Sequence, residues 1–293
     1  MRKEKKPDFR DAHLVDDVPG LESVMTHVLP KRTDCECFCN ETFDVTEVLK
    51  YLEEKNKSHQ EYKTTLFHCF VTAIARMIRE RPKMNRYIKG RKMHERELVS
   101  LSFVAKRKFT DGADESLVLY VAEGDDTLDS ISYKISGEVK ERKRADAVES
   151  DFDKTVNAFG KLPRLVLMPI VTVVRWLDFW SLLPHALSDG DPNFSSCFLS
   201  NLGSVKCPSV YHHLNEYGTN SFFVTIGTIH KEKLIMDDGS EQIRDVVDIG
   251  AILDERIADG FYFSKSLKLV KYLFAHPEML DIPLSTPSGY EYN

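Results

Sequence analysis

The sequence lacks the apolar core of a secretory signal, because its first residues, MRKEKK, are mostly charged. Without an export signal we expect a cytoplasmic protein whose six cysteines remain reduced. The charged run itself is typical of a solvated arm. Residues 1–30 carry few periodic signals, so we predict an N-terminal arm that leads into the fold.

Basic residues are too few for a typical nucleic-acid-binding protein. Lysine and arginine number 40 against 46 acidic residues, which gives a net charge of -6 and a pI near 6.0. Proteins that bind phosphate backbones usually have a strong basic excess, so we expect no nucleic-acid partner. The apolar fraction of 42% in 293 residues is enough for a sizeable core.

The cysteines also lack the spacing that is typical of metal ligands. The stretch DCECFCNE places Cys35, Cys37 and Cys39 at every second position. Zinc sites usually have two to four residues between two cysteine ligands and add a second pair elsewhere, which is missing here. Alternation is instead typical of one face of a strand. We therefore predict a strand over 34–43 with cysteines as small buried hydrophobes, and no metal site.

The most apolar segment is LPRLVLMPIVTVVRWLDFWSLLP (162–184), and it is too interrupted to span a membrane. Its run from Leu165 to Val174 has ten uncharged residues, whereas a span needs roughly 20. We expect a buried or interface helix. Shallow membrane contact, with Trp176 and Trp180 near the lipid interface, is the alternative.

Periodicity predicts the remaining elements. Apolar spacing of three and four residues predicts helices after the N-cap Asp44, over about 64–80, and after residue 127. Alternation predicts strands at 98–109, 117–124, 221–236 and 241–253, and the last two flank the turn signal Asp238-Gly239. A final helix follows DERIADG and ends near His276-Pro277, and the tail after it is expected to be mobile.

This mixed order of strands and helices predicts an α/β fold, a two-layer sandwich with a mixed sheet and packed helices. We expect a single domain over 31–280, with an atypical apolar insertion at about 145–193. Residues 281–293 form the expected mobile tail. His68 lies beside the apolar stripe of the second helix, so we interpret it as structural.

Several motifs together resemble one enzyme family. They are FLSNLG (198–203), the long hairpin, DERIADG and HPEML, preceded by FDVTEVLKYLEE (43–54) and TLFHCFVTAIARMIRERPKMNRYI (65–88). In this order they resemble the catalytic domain of 2-oxoacid dehydrogenase acyltransferases and the related chloramphenicol acetyltransferases, over roughly 33–143 and 194–280. The resemblance implies a chloramphenicol acetyltransferase-like fold, with coenzyme A or acyl-CoA as a substrate. It also implies a homotrimer with active sites at subunit boundaries.

The family's active-site pattern is His-Arg-x-x-x-Gly, and this chain departs from it. Here the stretch reads Glu255-Arg256-Ile257-Ala258-Asp259-Gly260, so glutamate stands at the place of the histidine. By resemblance, Asp259 holds the site together through an ion pair, with Arg256 and Gly260 as supporting residues. Also by resemblance, Ser200 donates to the oxyanion of the tetrahedral intermediate, and Asn201 supports it.

The glutamate makes the reaction an open question. In the family the histidine removes a proton from a thiol or hydroxyl, which then attacks an acyl thioester. A glutamate in water has a pKa of about 4.3, and raising it to about 7 requires about 3.7 kcal/mol from the surroundings. We therefore expect an acyl-CoA-dependent acyltransferase-family protein with altered or lost catalysis, a pseudoenzyme in the second case. A non-catalytic trimer that binds coenzyme A or a nucleotide is the alternative.

A pair of adjacent histidines offers an alternative base to Glu255. His212 and His213 follow FLSNLG by a few residues and could approach the same site. Exposed loop histidines are the plainer interpretation of this pair. The sequence shows no lipoyl or subunit-binding module, so we do not expect it to form the core of a dehydrogenase complex.

Overall fold

The computed structural model describes residues 11–58, 61–106, 115–143, 151–236 and 238–292. Within them the strands are β1 (Ala12–Leu14), β2 (Glu36–Asp44), β3 (Arg86–Lys89), β4 (Lys92–Arg96), β5 (Val99–Lys106), β6 (Glu115–Ala122), β7 (Cys197–Asn201), β8 (Phe222–Ile235) and β9 (Glu241–Asp254). The helices are α1 (Gly20–Val28), α2 (Thr46–Lys55), α3 (Leu66–Glu80), α4 (Leu128–Lys143), α5 (Asp151–Gly160), α6 (Arg164–Phe179), α7 (His185–Ser188) and α8 (Gly260–Ala275).

The main sheet has six strands in the order β2-β9-β8-β7-β5-β6. Strand β7 runs parallel to β5 and β8, and the other neighbours are antiparallel. This confirms the predicted mixed sheet. The long hairpin β8-β9 turns at Gly239, whose φ of +79° is a conformation that glycine adopts without strain. The sequence also has Asp111-Gly112 between β5 and β6, and this pair lies outside the described residues.

Four helices cover one face of this sheet and form the core with it. Helices α2, α3, α4 and α8 contribute buried side chains to one continuous cluster with the sheet. Helix α3 is apolar on nearly every side, and its residues from His68 to Ile78 are buried. The predicted two-layer α/β sandwich is confirmed, because a helical layer and a sheet share this core.

The N-terminal region is more than an arm. Residues 12–14 pair with β4 in a second, three-stranded sheet of order β1-β4-β3. Helix α1 packs beside it, and Thr26 donates a hydrogen bond of 3.0 Å to the carbonyl of Arg91. The prediction of a plain arm over 1–30 is therefore wrong for residues 11–30, and MRKEKK lies outside the described residues.

The C-terminal segment is packed onto the body, so the prediction of a mobile tail is wrong for residues 281–292. Leu284 is buried, and its amide donates to the carbonyl of Asp126 at 2.9 Å. The buried Arg76 donates to three carbonyls of the segment, among them that of Thr286 at 2.6 Å. The polar composition of this segment concealed partners that lie on distant elements.

The apolar segment 162–184 forms helix α6, which lies largely on the surface. Leu165 is 87% exposed, and Trp176 and Trp180 are each 57% exposed. The expectation of a buried helix is therefore wrong for the single chain. In the described part of the chain, no helix is long and apolar enough to cross a membrane.

The three alternating cysteines only partly share a buried environment. Cys35 is buried, Cys39 is half-buried, and Cys37 is exposed on the edge strand β2. All six cysteines are free. Among the described residues, no group of three or more histidine, cysteine or acidic side chains could hold a metal ion.

Candidate functional site

A cavity of about 980 Å³ opens where the parallel strands β5 and β7 end. Aromatic and aliphatic side chains from strands β5, β7 and β8 and from helices α3 and α4 line its interior: Phe67, Phe103, Ala105, Ile135, Val139, Phe198 and Phe223. A volume of this size fits a small-molecule ligand of considerable length. The apolar lining favours a ligand with an apolar portion.

The polar lining of the cavity carries positive but no negative groups. Lys63 and Lys140 are exposed at its rim, and serine, threonine, asparagine and histidine side chains complete the lining. Among the described lining residues none is aspartate or glutamate. Two lysines, with no carboxylate among the described lining residues, favour a ligand that carries negative charge.

Ser200 and Asn201 are both brought to this cavity. They are the last two residues of β7, half-buried, and both line the cavity wall. The strand ends at Asn201, because the chain turns into a short 3-10 helix over Leu202–Val205. Ser200 is opposite Thr225 of β8 in the parallel register.

The two histidines also line this cavity. Their segment crosses the face of β8, where Thr225 donates to the carbonyl of Val210 and the ring of His212 stacks on Phe223 at 4.2 Å. Phe223 is two residues before Thr225, so His212 lies about 7 Å along the strand from the level of Ser200. Nδ1 of His212 is 2.8 Å from the carbonyl oxygen of His213. In the tautomer with the hydrogen on Nδ1, this nitrogen donates to the carbonyl and Nε2 carries the ring's lone pair.

Two glycines allow the histidine segment to lie so close to the sheet. A Cβ at Gly227 would come within 2.6 Å of the Ser209 amide nitrogen, and one at Gly250 within 2.7 Å of the Val210 carbonyl oxygen. After the histidines, the Leu214 amide donates to the Glu36 carboxylate at 2.6 Å. The segment is thus fixed on both sides of the histidine pair.

Glu255 lies away from the cavity of its own chain. It is exposed just beyond β9, and it is not among the residues that line the cavity. Ser200 is level with Thr225 and Gly250, and Glu255 is five residues further along the chain. Strand geometry therefore separates Ser200 from Glu255 by about 19 Å within one chain.

The residues around Glu255 have structural contacts. The guanidinium of the buried Arg256 donates two hydrogen bonds to the Asp254 carboxylate, at 2.8 and 2.6 Å. Alternation along an extended chain agrees with this, because it puts Asp254 and Arg256 on one face and Glu255 on the other. Asp259 accepts a hydrogen bond from the Tyr262 amide at 2.7 Å and so caps helix α8. The ion pair that we expected of Asp259 is made by Asp254 in this stretch, with Arg256 and with Arg32 at 3.8 Å.

His68 is a cavity residue that sequence reasoning did not assign to the site. It is the third residue of helix α3, and its Nδ1 accepts a hydrogen bond from the Thr65 amide at 3.1 Å in a capping box. Burial lowers the pKa of His68 to about 4, so the ring is neutral near pH 7. It has the structural role predicted for it, and it also lines the cavity. The Thr-x-x-His spacing at a helix start was the signal that could have located it.

Sequence comparisons give a distant match to one family. The model of the 2-oxoacid dehydrogenases acyltransferase catalytic domain matches residues 25–110. The lipoamide acyltransferase component of the branched-chain alpha-keto acid dehydrogenase complex of Bacillus subtilis is 21% identical over 238 residues. That alignment covers 78% of this chain and 44% of the relative, so the chain spans less than half of the relative's length.

Solved structures give the same result for the fold. A probable dihydrolipoamide acetyltransferase from Listeria monocytogenes superimposes with a TM-score of 0.58 at 16% identity, covering 96% of this chain and 99% of that one. The dihydrolipoamide acetyltransferase of Azotobacter vinelandii gives 0.58 at 14% identity, covering 91% and 93%. A chloramphenicol acetyltransferase gives 0.53 at 11% identity, covering 90% and 99%. The chain therefore has the chloramphenicol acetyltransferase-like fold and resembles the catalytic domain of the 2-oxoacid dehydrogenase acyltransferases.

Proposed function

We propose that this protein belongs to the acyltransferase family and transfers an acyl group from a coenzyme A thioester to a small acceptor. The observation that supports this most is the position of Ser200 in a cavity of about 980 Å³ at the ends of β5 and β7. The two rim lysines suit the phosphates of a coenzyme A substrate. The apolar interior suits its acyl and pantetheine portions.

In the proposed reaction the acceptor's hydroxyl, thiol or amine attacks the thioester carbonyl. A base takes the acceptor's proton while the carbonyl oxygen becomes an oxyanion, to which the Ser200 hydroxyl donates a hydrogen bond. The carbon–sulfur bond then breaks, and the thiolate takes up the proton and leaves as the free thiol. Asn201, beside Ser200 in the wall, supports the geometry of this donor.

The proposed assembly is a homotrimer in which Glu255 of one subunit approaches the cavity of the next. The single chain separates Glu255 from Ser200 by about 19 Å, so a site containing both needs two subunits. The exposure of Glu255 agrees with such an arrangement. His212 is the alternative base, since it lines the same cavity as Ser200 within one chain.

The test is release of free thiol from acyl-CoA in the presence of small alcohol, thiol and amine acceptors. We expect Ser200→Ala to lower kcat by about 100-fold, the usual effect of losing one oxyanion donor. Glu255→Gln and His212→Asn then identify the base, because only the loss of the base lowers turnover strongly. Unchanged thiol release in Ser200→Ala would contradict the proposed site.

A binding role without turnover is the second candidate function. The absence of carboxylates among the described cavity residues favours anionic ligands whether or not a base is present. In this case coenzyme A or a nucleotide would raise the midpoint of thermal unfolding although no thiol is released. Lys63→Ala with Lys140→Ala should weaken that stabilisation, and an unchanged midpoint in wild-type protein with all of these ligands would exclude this role.

A further inference from the structure

The outer face of helix α6 is an exposed apolar surface for which acyl transfer gives no reason. It consists of Leu165, Met168, Val173, Trp176, Phe179 and Trp180, which are between 39% and 87% exposed. Large apolar side chains clustered in this way mark a surface that contacts another molecule.

The helix has two different faces. Leu167, Ile170, Val174 and Leu177 are half-buried and, at about 100° per residue, form the stripe that faces the body of the protein. These six exposed apolar residues cover an arc of roughly 140° on the opposite side, by the same geometry. One stripe of the helix therefore packs against the protein, and a separate apolar face stays exposed.

The exposed charges within this segment have one sign. Lys161, Arg164 and Arg175 are exposed, whereas Asp178 is buried in an ion pair with Lys89. Residues 161–184, which are all described, therefore carry exposed cations and no exposed carboxylate.

The turn between β3 and β4 carries two further exposed cations. A Cβ at Gly90 would come within 2.9 Å of the Phe179 carbonyl oxygen, so this turn touches the end of helix α6. The two residues that follow, Arg91 and Lys92, are both exposed.

We propose that the outer face of α6 binds the surface of a membrane that contains anionic phospholipid. Apolar side chains with tryptophans on one side and cations at the edge are the pattern of a helix that lies in the lipid interface. At 16 residues the helix is about 24 Å long, short of the roughly 30 Å hydrocarbon core, so it lies on the membrane and does not cross it.

Charge decides between a membrane and a second copy of this chain. Two copies joined through this face would bring their cations close to one another in a partly dry contact, which is unfavourable. Anionic headgroups neutralise the same cations, and each lysine or arginine near such a surface strengthens the attraction.

The experiment uses the full chain and its own tryptophans, since both of the two in the sequence lie on this face. Vesicles of phosphatidylcholine with phosphatidylglycerol should shift the emission to shorter wavelength and carry the protein into the pellet. Vesicles of phosphatidylcholine alone should bind at least tenfold less protein. Bromine-labelled acyl chains should quench the emission only if the tryptophans enter the lipid.

The paired variants are Leu165→Glu with Val173→Glu and, as a control, Ile235→Glu with Ile243→Glu. Each replaces two exposed apolar side chains by carboxylates, and the control pair lies on the β8-β9 hairpin. We expect at least a tenfold loss of vesicle binding in the first pair alone, with normal circular dichroism in both. Equal binding by both pairs, or no emission shift with anionic vesicles, would overturn the proposal. An emission that depends only on protein concentration would instead show a second copy on this face.

Discussion

Asp254 is the residue whose charge we expect to matter most for stability. It is fully buried and accepts hydrogen bonds from Arg256, and Arg32 lies 3.8 Å away. Asp254→Asn keeps the shape of the side chain but removes the buried carboxylate that contacts two buried guanidinium groups. We therefore expect the free energy of unfolding to fall by about 3–5 kcal/mol in urea titrations.

The matched control is Asp245→Asn on the same strand, β9. Asp245 pairs with Lys231 at 3.0 Å, but the lysine side chain is 70% exposed. Exposed pairs contribute about 0–1 kcal/mol, so this variant should unfold close to wild type. An equal loss in both variants would show that burial of the Asp254 cluster adds nothing to its effect.

His68 gives the protein a stability that depends on pH. Its pKa is about 4 in the folded state, below the ordinary value of 6.5, because the ring is buried. Between these values the unfolded chain binds the proton more readily, so stability falls as the pH falls from about 6.5 to about 4. The contribution lost over this window is about 3 kcal/mol.

His68→Gln should remove this dependence, because glutamine at the third helical position can also accept from the Thr65 amide. We expect near wild-type stability at pH 7 and a smaller loss by pH 4.5, measured by thermal unfolding across this range. His230→Gln, which changes an exposed histidine on β8, is the control. Parallel pH curves for His68→Gln and wild type would assign the acid sensitivity to other groups.

At the scale of elements, the segment after helix α8 acts as part of the core. Leu284 is 2% exposed, and the neighbouring backbone bonds to the chain around Asp126. We expect Leu284→Ala to lower the free energy of unfolding by about 2–5 kcal/mol in urea titrations, the usual cost of such a cavity. Ile235→Ala, at a side chain that is 77% exposed, should change it by about 0.5 kcal/mol or less. Equal effects would mean that the segment is as mobile as its composition predicts.

Local pattern was enough to predict most elements but not their surroundings. Helices α2, α3 and α8 and the hairpin β8-β9 were predicted to within a few residues, because periodicity and caps are local properties. Helix α6 was located correctly, yet its hydrophobicity suggested burial. An apolar stretch has the same sequence whether it faces a core or a partner. The burial of 281–292 depends on Arg76 and Asp126, which no local pattern connects with that segment.

At the scale of the whole molecule, the candidate site depends on the register between distant strands, which local sequence pattern does not reveal. Ser200 and the histidine pair share a cavity because β7 and β8 are neighbours and because two glycines admit the histidine segment. Glu255 is in the motif DERIADG, but the register of β9 places it far from Ser200 within one chain. Motif order thus predicted the fold, whereas the set of residues that act together needed the topology.

Mixed oligomers can test whether one active site contains residues from two chains. We expect a trimer with a mass of about 101 kDa for chains of 33.6 kDa, and each site would use Ser200 of one chain and Glu255 of the next. Ser200→Ala and Glu255→Gln chains should each form inactive trimers by themselves. After random mixing in equal amounts, about a quarter of the sites would contain both intact residues. The mixture should therefore recover about a quarter of wild-type thiol release.

The control mixture combines Ser200→Ala with His212→Asn, and it gives the opposite result if the base lies within one chain. A site built from Ser200 and His212 of the same subunit stays broken in every chain of that mixture, however the trimers assemble. Recovery in the first mixture would show that Glu255 acts in the cavity of a neighbouring subunit. No recovery in the second would show that His212 is essential and acts in the cavity of its own chain. No recovery in the first mixture, with trimers of the expected mass, would place Ser200 and Glu255 of the same chain in one site. An active Glu255→Gln trimer would instead remove Glu255 from the reaction.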